Sequence, residues 1–146
     1  MIEISKRDAK KYLLRKTKFK VHSAWTGEEY TYIVTPSRYP GSFDVYNIDN
    51  NKRKNFVGAY MSYDGYFSVS RYEINVCRLT KRAKAANIVF KNICRLDELT
   101  WLTLYIEPRC QLCGRPLKDD ESIIRGYGPN CYNKIMEEQN VKLDIG

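Results

Sequence analysis

The chain has 146 residues, 43% of them hydrophobic and 13% aromatic, with 25 Lys/Arg against 17 Asp/Glu for a formal net charge of +8. That length supports one domain with at most a small appended lobe, and no apolar run approaches the roughly 20 residues of a membrane span. Met1–Arg7 lacks the apolar core of a signal peptide, so the expectation is a soluble, cytoplasmic protein whose five cysteines stay reduced and favour metal over disulfides.

Taken in chain order, residues 5–16 read as a helix. Ser5 and Asp8 have capping-box spacing, Ala9, Tyr12 and Leu13 form an apolar face, and Lys6, Arg7, Lys10, Lys11 and Arg15 cover the rest. Residues 18–70 alternate with period two and predict an antiparallel meander of four or five strands. Its runs are Lys18–His22, Tyr30–Val34, Phe43–Ile48, Arg53–Met61 and Tyr66–Ser70, punctuated by Thr26-Gly27, Asn50-Asn51 and Asp64-Gly65, with a longer loop at Pro36, Pro40 and Gly41. Residues 81–95 predict a second helix, capped by Thr80, with Ala85, Ile88, Val89, Asn92 and Ile93 along the face that packs on the sheet. Trp101–Ile106 reads as a short strand entering a terminal lobe, Ser122–Arg125 as a helical turn and Asn130–Gln139 as a last helix.

The strongest motif is Cys110-Gln111-Leu112-Cys113-Gly114-Arg115-Pro116-Leu117, closed by Gly126-Tyr127-Gly128-Pro129-Asn130-Cys131. A Cys-x-x-Cys before glycine makes a zinc knuckle, whose tight turn aims two thiolates and nearby N–H groups at one ion. The third cysteine arrives at a helix start after Gly and Pro. Zinc takes about four tetrahedral ligands and suits soft thiolates. Cys110, Cys113 and Cys131 are therefore the expected zinc ligands.

These residues resemble a motif carried by many short phage-encoded proteins: Cys-x-x-Cys-Gly-Arg-x-Leu, then Glu-Ser, then Gly-x-Gly-Pro-x-Cys. Here it is Cys110, Cys113, Gly114, Arg115, Leu117, Glu121, Ser122, Gly126, Gly128, Pro129 and Cys131, covering about the last quarter of the chain. Upstream, Thr26-Gly27, Tyr30-Thr31-Tyr32 and the Phe-Val-Gly-Ala-Tyr run are similar more loosely. Such proteins are labelled as of unknown function, so the resemblance implies phage origin and zinc binding but no activity. They often carry a histidine four residues before the first cysteine, where this chain has Ile106. The fourth ligand is thus open among Glu107, Asp119, Asp120, Cys94 and His22, and loss of the metal stays an alternative.

The remaining candidates have plain structural readings beside functional ones. Cys77 and Cys94 lie among apolar residues and read as buried thiols, and His22 reads as a surface or edge histidine. Asp119-Asp120-Glu121 with Ser122 reads as a helix cap, and Arg115 as a partner of carboxylates in the lobe or, alternatively, as a phosphate contact. One histidine must serve every role, and neither a Ser/His/Asp set nor a phosphate-cradling glycine loop is present, so a non-enzyme is expected.

The charge is uneven. Residues 1–109 hold 20 Lys/Arg against 11 Asp/Glu, whereas residues 110–146 hold 5 against 6. A basic body favours polyanions. Strand tyrosines can stack on unpaired bases while lysines hold phosphates. The expected contacts are Lys6, Arg7, Lys10, Lys11, Arg15, Tyr32, Tyr46, Lys52, Arg53 and Lys54.

Together these features predict an α+β fold: a basic domain over 1–106 with an antiparallel sheet and packed helices, then a treble-clef-like zinc lobe over 107–146. The expected function is a small phage-type accessory protein with a structural zinc that binds DNA or RNA. The rival is a host-directed inhibitor, anti-defence or transcription-modulating, that acts by binding a host protein. Oligomeric state is not legible in the sequence.

Overall fold

The computed structural model describes the backbone of residues 1–145 and the side chains of residues 1–139. It is a mixed α+β structure in two compact units, Met1–Ile106 and a second beginning at Glu107.

The first unit opens with β1 (Ile2–Glu3), a single 3-10 turn at Lys6–Asp8, and α1 (Ala9–Leu13). The helix is shorter than the expected 5–16. Ser5 makes no side-chain cap, the Asp8 carboxylate pairs with Lys11 at 3.6 Å, and Leu14 leaves helical geometry at φ −92, ψ 56. Only Ala9 and Leu13, one turn apart, are fully buried. From Thr17 onward, pairing with Val34 claims the backbone for the sheet.

The predicted meander is present as β2 (Thr17–Ser23), β3 (Glu29–Pro36), β4 (Ser42–Ile48), β5 (Lys54–Met61) and β6 (Tyr66–Val69). A two-stranded hairpin, β7 (Ile74–Asn75) and β8 (Arg78–Leu79), precedes α2 (Lys81–Lys91), and β9 (Leu102–Ile106) ends the unit. The large sheet has seven strands in the order β1-β9-β2-β3-β4-β5-β6. So β9 is not a peripheral lead-in to the lobe: it lies between β1 and β2, with Val21 opposite Leu104.

Thr80 caps α2 as expected, its hydroxyl accepting from Ala83 N–H at 3.2 Å. The buried stripe is rotated from the expected one, however. Ala83, Ala86, Val89, Phe90 and Ile93 are buried, while Ala85 and Ile88 stay partly exposed. Phe90 decides the rotation. Its ring stacks on Phe67 at 5.3 Å and meets Tyr60 at 5.5 Å and Phe19 edge-on at 6.0 Å, contacts that bury the largest apolar side chain of the helix. Gly58 makes room beneath this cluster, since an added Cβ would sit 2.6 Å from the Phe67 ring.

A second tie pins the helix. Buried Glu73 accepts from Arg82 Nε at 2.5 Å, Arg82 Nη2 at 2.9 Å and the Thr80 hydroxyl at 3.1 Å, and the Arg82 carbonyl accepts the Tyr32 hydroxyl at 2.5 Å. Cys77 and Cys94, expected to be buried, are both exposed. Cys77 occupies the two-residue tip of the β7–β8 hairpin with Val76, both at positive φ, and Cys94 follows the last turn of α2.

Candidate metal centre and the outer sheet face

The second unit is built around the knuckle. Cys110 N–H donates to Arg115 O at 2.9 Å, Gly114 N–H to Cys110 O at 3.0 Å, and Leu117 N–H to Pro108 O at 2.8 Å. Gly114 turns the chain at φ +76. Next come α3 (Asp120–Arg125) and α4 (Pro129–Ile145). Asp119 caps α3 through its carboxylate, which accepts Ser122 N–H at 3.0 Å, and Gly126 ends that helix in the left-handed conformation at φ +86. Gly126 O in turn accepts Gln111 N–H at 2.7 Å, tying the knuckle to the end of α3. Cys131 lies in the first turn of α4.

These connections bring the sulfurs of Cys110, Cys113 and Cys131 within 4.8 Å of one another. Burial pushes the Cys110 thiol up, but N–H groups of Cys113, Gly128 and Leu112 aimed at the sulfur outweigh it and lower its pKa to about 6. The Cys131 thiol is pushed up to about 11 by hydrogen bonding to Cys113, by burial, and by the neighbouring Cys110 sulfur. Three sulfurs within 4.8 Å of one another, with backbone N–H groups aimed at Cys110, form a donor set suited to a thiophilic dication. The residues therefore fit a metal ion.

Among the described residues no other His, Cys, Asp or Glu joins this group. The Asp119 carboxylate is committed to capping, Glu107 pairs with Arg109, and Asp120 starts α3 exposed to solvent. In the first unit, His22 lies 3.4 Å from Glu29, and Cys94 is exposed near Lys10. Arg115, expected to hold carboxylates, is exposed, and it is Arg109 that binds Glu107.

Residues 105–135 match the model of a family of unknown function, DUF6011. The match spans the knuckle, α3 and the first turns of α4, the stretch that carries all three clustered cysteines. No curated protein and no solved structure matches the chain. Over that segment the chain is similar to a family of unknown function, and its own three clustered cysteines lie close enough to hold a metal ion.

The basic candidates of the first unit separate into two groups. Around α1 the cations are engaged locally. Lys6 Nζ donates to Leu99 O at 2.5 Å, Arg7 lies 3.9 Å from Asp97, Lys11 pairs with Asp8, Lys10 meets Cys94, and the Arg15 guanidinium lies over the Tyr12 ring. Lys52 and Arg53 are exposed on the β4–β5 turn, and Lys54, also exposed, opens β5. That turn is fixed by the Asp49 carboxylate, which accepts from Asn51 and Arg53 N–H at 2.9 Å each.

The tyrosines divide by strand parity. Tyr32 points at α2 and is 0% exposed, its hydroxyl pKa pushed far up by burial, so the expected stacking role is corrected to a core role. Tyr46 lies on the opposite face. There, strand register sets two rows across the sheet. One runs Tyr105, Lys20, Thr31, Ile48, Lys54, and the other Lys18, Ile33, Tyr46, Phe56. Lys54 Nζ sits 4.3 Å above the Tyr46 ring and Lys20 Nζ 4.8 Å from the Tyr105 ring. Tyr46 meets Phe56 edge-on at 5.4 Å, and Phe56 is 42% exposed. Tyr105, Phe56, Lys18 and Lys20 were missed in the sequence. A register irregularity at Val45/Tyr46 puts Phe56, but not Val57, on this face, and parity alone could not have shown it.

Proposed function

We propose that this chain is a small phage-type accessory protein that binds nucleic acid on the sheet face turned away from α2, with a structural zinc holding its second unit. The observation that carries this reading is the pairing of aromatic rings with lysines in rows across that face, Tyr46 with Lys54 and Phe56, and Tyr105 with Lys20. Unpaired bases stack on rings of this kind, and the Lys54 ammonium beside Tyr46 would neutralise a phosphate, whereas Lys20 already pairs with Glu29 at 2.9 Å. Lys52 and Arg53 extend the positive edge at the β4–β5 turn. Zinc would be held by Cys110, Cys113 and Cys131, supplying folding free energy, and the protein would not be an enzyme.

Anisotropy of a labelled single-stranded oligonucleotide tests the reading. Tyr46→Ala should weaken binding by about 1–3 kcal/mol, and Lys54→Ala should lower the salt slope by about 0.7. Absence of binding at low salt, or binding indifferent to both changes, refutes it. A host protein is the second reading, favoured by the apolar side chains Tyr72, Ile74 and Val76 exposed on and before the β7–β8 hairpin. It predicts an association that survives nuclease and depends on Ile74 and Val76.

A further inference from the structure

The two tryptophans of the chain, far apart in sequence, stack at 4.7 Å with an interplanar angle of 16°. Trp25 sits on the β2–β3 turn and Trp101 immediately precedes β9. Backbone bonds fix this pairing: Ala24 N–H donates to Trp101 O at 2.8 Å, Ser23 N–H to Glu28 O at 3.0 Å, and Gly27 N–H to Ser23 O at 2.8 Å. Yet Trp25 is 77% exposed. A large ring held in solvent by a braced turn has not collapsed onto the apolar surface beside it.

That surface is a slot of about 370 Å³ between the indoles and α2, within the size range of small-ligand sites. Its walls are the indoles on one side and the partly exposed Ala85 and Ile88 on the other. Charged groups stand at its rim. The Glu28 carboxylate accepts the Tyr30 hydroxyl at 2.5 Å and Lys81 Nζ at 3.3 Å, leaving further lone pairs on both oxygens. Lys84 is exposed at the same rim.

We propose that this slot binds a guanosine 5′-phosphate, with the base against the indoles, its N–H edge on the Glu28 carboxylate and its phosphate on Lys84. Each part of the ligand answers one part of the site. A flat ring suits stacked indoles in an apolar slot. A carboxylate accepts from the adjacent N1–H and N2–H donors of guanine, whereas uracil sets carbonyl oxygens beside its single N–H. An ammonium at the rim neutralises a phosphate. The same chemistry is offered by a free mononucleotide and by the 5′-phosphorylated guanosine end of a strand. The slot is lined from the α2 side of the sheet, by Val21, Tyr30 and Leu102, and so does not rest on the reading of the outer face.

Tryptophan fluorescence reads this site alone, because both fluorophores belong to it. Titration of the full chain with guanosine 5′-monophosphate should give saturable quenching, with ribose 5-phosphate giving none and uridine 5′-monophosphate at least about tenfold weaker binding. Lys84→Ala, an exposed helix position, should weaken guanosine monophosphate binding by about tenfold. Glu28→Gln should erase the preference for guanine over uracil. Quenching by a 5′-phosphorylated guanosine-ended oligonucleotide but not by the mononucleotide assigns the site to strand ends. No saturable quenching by either ligand overturns the proposal. So does quenching unchanged in Lys84→Ala, or a 5′-hydroxyl strand that binds as well as the phosphorylated one.

Discussion

The two units reach stability by different means. In the first, one aromatic cluster of Phe19, Tyr60, Phe67 and Phe90 sits between a seven-stranded sheet and α2, and the fully buried side chains include Leu13, Val34, Val45, Leu104 and Ile106. In the second, the buried apolar residues among those described are Cys110, Leu117 and Ile123, the first of which belongs to the cysteine cluster. Apolar burial contributes about 25 cal/mol per Å², so a core of this size cannot offset the ordering of a segment of some forty residues. If the cysteine cluster holds a metal ion, as proposed, that ion takes the place of a hydrophobic core in the second unit, and the two units should respond to different insults.

The largest expected effect is on the second unit. Chelation, or Cys110→Ser, should remove a contribution of the order of 10 kcal/mol and release the knuckle, α3 and the start of α4. Hydrogen exchange should then show rapid exchange at Gln111, Gly114 and Ile123 while β2 to β5 stay protected. Elemental analysis should find one zinc per chain in the parent and none in the variant. Protection lost across both units at once would break the comparison.

Next is the converse. Phe90→Ala removes the ring that three aromatic partners share and should cost about 3–5 kcal/mol in the first unit while leaving zinc content unchanged. Denaturant melts with parallel zinc assays check it. Loss of metal along with sheet stability would show that the units do not separate energetically.

A smaller effect sharpens the account of how α2 is held. Glu73 hydrogen-bonds to Arg82, which holds its carboxyl below the ordinary value of 4.5. A lowered folded value means the carboxylate stabilises the fold above the unfolded pKa, and that this contribution disappears as pH falls through the folded one. Glu73→Gln should therefore cost about 2–3 kcal/mol at neutral pH, discounted for the partly exposed guanidinium, and should flatten the acid limb of stability against pH. An unchanged acid limb would assign acid sensitivity elsewhere.

How much of this was legible in the sequence follows from the range of each interaction. The knuckle was legible because its ligands and turn residues lie close in the chain. The meander was legible because neighbouring strands pair through short turns with period-two patterning. Thr80 and Asp119 could be read as caps for the same local reason. What failed was non-local. Alternation shows that Tyr32 and Ile33 face opposite ways, but only the position of α2 decides which of them is covered. The stripe on α2 was misjudged because Ala83, Ala86 and Phe90 compete with Ala85 and Ile88 at nearly equal spacing, and the aromatic cluster that breaks the tie is assembled from β2, β5 and β6. The pairing of β9 with β2 joins residues 19–23 to 102–106, which no local pattern encodes. The Trp25–Trp101 stack is a by-product of that same pairing.

The position of β9 also sets an order of events during synthesis. Strands β2 to β6 can zip up turn by turn as they leave the ribosome, but the hydrogen-bonding edge of β2 that faces β9 waits until Ile106 has emerged. A chain interrupted before Leu102 would present Phe19 and Val21 on an open strand edge, the geometry that recruits other nascent chains. One interrupted after Ile106 would leave all nine strands available. The residues that complete the pairing of β2 are followed at once by the knuckle, so the sheet is assembled just as the first cysteine of the cluster appears.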